Sequence, residues 1–180
     1  LEVTLLGQNV NSYGSDLPDG YRFSSLLRNV AVQTGVRLLR FVTSHPRDFT
    51  PDIADVMAAH GDVICPSVNL PIQSGSDRVL KMMNRGYNLD QYRAAVSSIR
   101  ERLPGAGLTT DLIVGHPGET DDDFRRSLDA LEEFRFDLVH SAAYSPREGT
   151  SAASREDQVP GEVKMRRLNE VNALQARIAR

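Results

Sequence analysis

The 180-residue chain has one cysteine and no tryptophan. Cys65 therefore cannot close a disulfide within the chain, and one thiolate cannot by itself hold zinc or an iron–sulfur cluster. No apolar run approaches the roughly 18 residues of a membrane span. The N-terminal LEVTLLGQN has neither the basic flank nor the cleavage pattern of a signal peptide. A cytoplasmic location without a membrane partner is the expectation. Charge of one sign is missing too: 21 Lys and Arg face 24 Asp and Glu, a net of −3. There is thus no basic arm and no polyanionic tail. A Gly-x-Ser-x-Gly elbow, a P-loop and a Gly-x-Gly-x-x-Gly turn are all absent, which removes the usual hydrolase, NTPase and dinucleotide readings. The sequence opens inside an apolar stretch without Met, and so reads as a portion of a longer protein.

What is present alternates. Residues 3–7 form an apolar run of strand length. Phe23, Leu26, Leu27, Val30 and Ala31 then recur at helical spacing up to Gly35. Residues 37–42 predict a second strand. Thr50 followed by Pro51 predicts a capped helix carrying Ile53, Val56 and Met57. A third strand is expected over 66–72, and Ser76 is placed to cap the helix of Val79, Leu80 and Met83. Helical spacing resumes over 88–103. A strongly apolar strand covers 108–114, and Thr120 with Asp123 resembles a capping box ahead of Phe124, Leu128, Leu131 and Phe134. The last strand is expected over 137–144. A closing helix after Pro160 carries Leu168, Val171, Leu174 and Ile178 on one stripe. Repetition of β and α predicts a parallel sheet covered by helices in a single α/β domain. Periodicity alone fits a doubly wound sheet and a barrel equally.

Ligands of parallel α/β folds bind where the strands end. Here the strand ends read GQNVN, TSHPRD, QSGS, GHPGET and YSPREGT. These amides, hydroxyls and glycines exceed what turns need, and they suggest a site for a polar, nucleotide-like molecule. Asn9 and Asn11 could equally satisfy backbone groups in a turn. Asp111 stands in an otherwise apolar strand, where an unpaired carboxylate is costly to bury; it is expected near the strand's open end, meeting hydroxyls or a cation, or else paired structurally with an Arg.

Taken in order, LLGQNVNSYG, RFVTSHPRDF, LPIQSGSDRVLKMMNRGY, TDLIVGHPGETDDDF and YSPREGTSAA resemble the methylthiotransferases among the radical S-adenosylmethionine (SAM) enzymes. GQNVNSYG is similar to the branch that modifies N6-isopentenyladenosine beside the tRNA anticodon. His116 and Ser151 depart from a pattern that favours an aromatic residue and proline there. The resemblance implies a partial (β/α)6 TIM-like barrel over residues 1–180, containing strands two to six. The first strand with its Cys-x3-Cys-x2-Cys loop, an N-terminal methylthiotransferase domain and a C-terminal RNA-binding barrel are expected outside it.

The resemblance also implies a function for the parent: radical insertion of a methylthio group at C2 of the modified adenosine, using SAM and two 4Fe–4S clusters. This portion is expected to hold no cluster, no metal and no catalytic residue. It is also expected to be inactive, with its reactive centre upstream. Gln8 and Asn9 would hold the methionine amino group. Ser44 and His45 would line the pocket floor, and Gln73 and Arg85 would contact SAM, Arg85 at the methionine carboxylate. Asp111 would accept from the ribose hydroxyls, with the backbone from Ile113 to Gly115 against adenine. The expected partners are a tRNA anticodon stem-loop and an electron-donor protein, with Arg47, Arg147, Lys164, Arg166 and Arg167 as candidates for the RNA path. The sheet edge is expected to drive self-association. A sister enzyme acting on a ribosomal protein or on threonylcarbamoyladenosine tRNA, and a non-catalytic SAM- or RNA-binding scaffold, are the alternatives.

Overall fold

A computed structural model describes residues 1–179. The chain divides into two compact units: Leu1–Pro71 with Asp90–Leu108, and Ile72–Leu89 with Thr109 onward.

In the first unit, β1 (Glu2–Leu5) and β2 (Leu38–Phe41) pair in parallel, with Val3 opposite Leu39 and Leu5 opposite Phe41. Between them runs α1 (Phe23–Gln33), and after them α2 (Pro51–Ala59). The two helices pack together, and Phe23 meets Phe41 edge to face at 5.2 Å. Thr50 and Pro51 start α2 as expected, although Thr50 makes no side-chain cap of its own. α4 (Leu89–Arg102) has all but its first residue in this unit and buries Tyr92, Val96 and Ile99. The Tyr92 hydroxyl donates to the Leu70 carbonyl at 2.7 Å, so a wholly buried phenol keeps its partner.

The third strand is shorter than its apolar run predicts. β3 is only Ser67–Asn69. Pro66 and Pro71 flank it, and neither has an N–H to give a ladder. The same stretch is instead tied at separate points. Ile64 bridges Leu39, Gly107 donates to the Pro66 carbonyl at 2.9 Å, and in the second unit Gln73 bridges Leu112.

The second unit is built on β4 (Gly107–Val114, entering from the first unit) and β5 (Leu138–Ala143), parallel with Asp111 opposite His140. Along β4 the residues alternate between buried and half-buried, and Leu112 and Val114 lie on the buried side. Thr109, Asp111 and Ile113 share the half-open side. α3 (Asp77–Met82), α5 (Asp121–Phe134) and α6 (Gly161–Ile178) complete the unit. α6 packs on β5 and α5 and buries Val171 and Leu174. The β1–β2 and β4–β5 pairs are both parallel, as the alternation required. They form sheets of order β1-β2 and β3-β4-β5, and no closed barrel is present among the described residues. No helix among them is long and apolar enough to cross a membrane.

Candidate functional site

Two backbone loops meet at the carboxyl ends of β1 and β2. The Val10 N–H donates to the Thr43 carbonyl at 3.3 Å, bringing GQNVN beside TSHPRD. Thr43 adopts φ +67°, a left-handed conformation that a β-branched residue rarely accepts. Asn9 donates its Nδ2 to Asp48 at 2.6 Å, and Arg47 reaches the same carboxylate at 3.1 Å. Burial pushes the Asp48 carboxyl up, but those hydrogen bonds and the Arg47 charge outweigh it, so it lies below the usual carboxylate range. His45 spends its Nδ1 accepting from the Arg47 N–H, capping the single 3-10 turn Pro46–Asp48. Gln8 is exposed.

Three side chains here keep unused hydrogen-bonding capacity. Asn9 Oδ1, Ser44 Oγ and both carboxamide atoms of Asn11 are buried without a protein partner. A buried polar atom left unpaired costs about 1–3 kcal/mol. The turn-satisfying reading of Asn11 is therefore set aside, because its amide satisfies no backbone group.

In the second unit, Gln73 adopts φ +64° and lies against β4. It donates its N–H to the Asp111 carbonyl at 2.8 Å and accepts from the Ile113 N–H at 3.0 Å. Gln73, Asp111 and Ile113 are thus brought together, with Asp111 half-buried on the open side of β4. Arg85 lies in the turn after α3, its N–H on the Leu80 carbonyl and its Nε buried without a partner. The Gly115 amide is committed within the protein: together with the His116 amide it donates to Glu119 Oε2. Ile113 and Gly115 therefore offer other backbone atoms than their N–H groups to a ligand.

The GHPGE loop is held by α6. Arg167 donates to the Glu119 carbonyl, lies 3.5 Å from its carboxylate, and reaches Asp121 at 2.7 Å. Burial pushes the Glu119 carboxyl up, against the opposing pull of Arg167 and the two amides. Lys164 donates to the Tyr144 carbonyl at 3.1 Å, and its stem fills the space a Cβ on Gly115 would occupy. His116 is buried edge-on to Tyr144, and its Nδ1 lies 3.0 Å from the Pro117 carbonyl, which places the proton on Nδ1. Burial lowers its pKa. Arg167, a candidate for the RNA path, is thus a buried structural cation. Lys164 is half-buried, and Arg47, Arg147 and Arg166 stay exposed.

A second knot centres on Asp123. It closes the expected capping box with Thr120, and it also accepts from Ser76 Oγ at 2.6 Å and from Arg78. Ser76 makes no side-chain cap on its own helix; its hydroxyl is turned to Asp123, to which it donates. Burial raises the Asp123 pKa, but these hydrogen bonds carry it well below the ordinary carboxylate value.

Comparison with known proteins agrees with this architecture. Residues 2–131 match the Radical SAM superfamily model. The tRNA-2-methylthio-N(6)-dimethylallyladenosine synthases of Moorella thermoacetica and Acetivibrio thermocellus are each 48% identical to it over 99% of this chain. The chain spans 40% and 37% of their lengths. Among solved structures, coproporphyrinogen III oxidase from Escherichia coli aligns with a TM-score of 0.62 at 20% identity, over 78% of this chain and 34% of that one. The radical SAM methyltransferase TsrM of Kitasatospora setae gives 0.61 at 20% identity, over 79% and 26%. At that identity the likeness concerns the fold alone. With the family match running from β1 to α5 over parallel strands and covering helices, the chain belongs to the Radical SAM superfamily.

Proposed function

We propose that this chain is the central part of a tRNA methylthiotransferase that acts at C2 of N6-isopentenyladenosine beside the anticodon. The observation that carries the reading is 48% identity, sustained over nearly the whole chain, to relatives of that name. The superfamily works with SAM and a 4Fe–4S cluster.

Fit to these two groups differs. Among the described residues no cluster of three or more His, Cys, Asp or Glu stands together. Cys65 is half-buried and accepts from Arg40 at 3.1 Å. These residues do not make a ligand set for a cluster. For SAM, each unit taken by itself carries groups of the right chemistry. In the first unit Asn9 Oδ1 can accept from an ammonium and Ser44 Oγ can donate or accept, with Gln8 and His45 in the same loops. In the second unit Arg85 Nε can donate to a carboxylate, and Asp111, beside Gln73, suits ribose hydroxyls. SAM supplies the radical and the methyl group; the protein's share is to bind, orient and shield it. An electron donor, a cytoplasmic location and self-association through the β1 edge belong to the same proposal.

Deletion of the parent gene, followed by mass spectrometry of tRNA nucleosides, tests this. The 2-methylthio nucleoside should disappear and return on complementation. Its persistence in the deletion strain would sink the reading.

A further inference from the structure

We infer that Arg167 of α6 is a positioning residue for the cofactor: acting through Glu119, it fixes the turn that carries the backbone of Ile113 to Gly115. This rests on the SAM reading above and adds a residue that lies outside the expected contact set. All the residues involved belong to the second unit.

β4 runs out into a left-handed residue, Gly115 at φ +73°. Successive N–H groups in such a turn converge on one point and form a concavity that holds an anion. The anion here is supplied by the chain. The Gly115 and His116 amides both donate to the same oxygen of Glu119, the His116 amide at 3.1 Å. The Glu119 amide in turn closes on the His116 carbonyl at 2.9 Å. The course of the backbone beyond Ile113 therefore depends on one carboxylate staying charged and in place.

Arg167 meets both conditions. Its guanidinium lies 3.5 Å from the carboxylate and donates to the Glu119 carbonyl at 3.3 Å. Burial drives Glu119 towards its protonated form, and the Arg167 charge is the largest influence opposing it. Lys164, one turn earlier on α6, secures the same place from another side. Its stem stands where a side chain on Gly115 would, and its ammonium donates to the carbonyl of Tyr144. The Tyr144 amide is itself bonded to the Val114 carbonyl at 2.8 Å. α6 thus grips the turns that follow both β4 and β5.

Stability alone does not account for this pair. Apolar residues of similar volume are often at least as stable as a buried ion pair. Arg167 also leaves its Nε buried without a partner. What the charges add is a single position for the turn. Ile113, half-buried on the same side of β4 as Asp111, and Gly115 are the groups whose placement follows from it. A contact made by backbone atoms has no side-chain torsion to absorb an error, so a displaced turn is read directly as lost affinity.

Calorimetric titration of the full-length protein with SAM, alongside thermal melting, tests this. Arg167→Met should weaken SAM binding at least about tenfold. The double variant Arg167→Met with Glu119→Gln strands no charge and keeps a carbonyl oxygen for the two amides. It should return to within about threefold of wild type. Leu174→Ala opens a cavity elsewhere in α6; it should lower the melting temperature and leave SAM affinity within about twofold. A helix that only stabilises the fold would make affinity follow melting temperature across these variants. That result overturns the inference, as does unchanged affinity in Arg167→Met. No SAM binding by the wild type overturns the SAM reading itself. Should Arg167→Met not fold, Arg167→Lys keeps the charge and loses the fork that spans Glu119 and Asp121. It should bind SAM more weakly than wild type, and equal affinity would count against the assignment.

Discussion

Glu119 and Arg167 form an ion pair at 3.5 Å with side chains only 2% and 3% exposed, so the β4–α5 loop is anchored to α6 by two charges that water does not reach. Arg167 also covers the ring of Phe124 at 5.3 Å. Removing one partner strands the other charge. Arg167→Met should destabilise the protein by about 3–5 kcal/mol in urea denaturation. The double variant Arg167→Met with Glu119→Gln should recover much of that loss, since neither charge then remains. Additive losses in the double-mutant cycle would show the two residues to be independent.

Asp123 makes stability depend on pH with a defined sign. Its folded pKa lies below the unfolded value of about 3.9. Its contribution is therefore present above that value and lost as pH falls through the folded pKa. His116 acts in the same direction over a higher window, because burial disfavours its charged form and its folded pKa lies below about 6.5. Asp123→Asn should cost about 2 kcal/mol at pH 7, the scale of a lost charged hydrogen bond. The gap to wild type should start to narrow below about pH 4, where the unfolded state takes up its proton, and should close only as pH falls through the folded pKa. Melting curves across pH read this directly, and a constant gap would contradict it.

Gly75 and Gly115 are both close approaches, of different kinds. A Cβ on Gly75 would collide with the Arg126 carbonyl oxygen and Ser127 Cα, the backbone of α5, which cannot swing aside. On Gly115 it would meet only the Lys164 stem, at φ +73°. Gly75→Ala should cost about 3 kcal/mol, the upper range for an overpacked site. Gly115→Ala should cost about 1–2 kcal/mol, mostly from backbone strain. Lys164→Ala should rescue part of the second loss and none of the first. Thermal denaturation ranks them, and the reverse order would refute the contact assignment.

Asp111 carries the ribose contact in the proposed cofactor set. In the full-length protein, Asp111→Ala should weaken SAM binding by about 1–3 kcal/mol. Calorimetry showing unchanged affinity would remove Asp111 from the site.

Local chemistry made much of the architecture legible in the sequence. The Thr120–Asp123 box and the apolar spacing of α5 involve residues three or four apart, so periodicity and capping locate that helix. Parallel pairing followed from the alternation of β and α. The third strand is shorter than its apolar character predicts, because two prolines interrupt its ladder.

What tertiary structure alone decided are the long-range partners. The basic positions of the last helix look alike in sequence. Yet folding buries Arg167 on a carbonyl 48 residues away, sets Lys164 over Gly115, and leaves Arg166 exposed. Ser76 abandons its own helix for an aspartate 47 residues on. Asn11, read as a turn residue as readily as a ligand, ends buried with nothing to bind. Periodicity reports which face of an element is apolar. It carries no information on which distant polar group fills the remaining hydrogen bonds, because that depends on the packing of elements the local pattern does not encode.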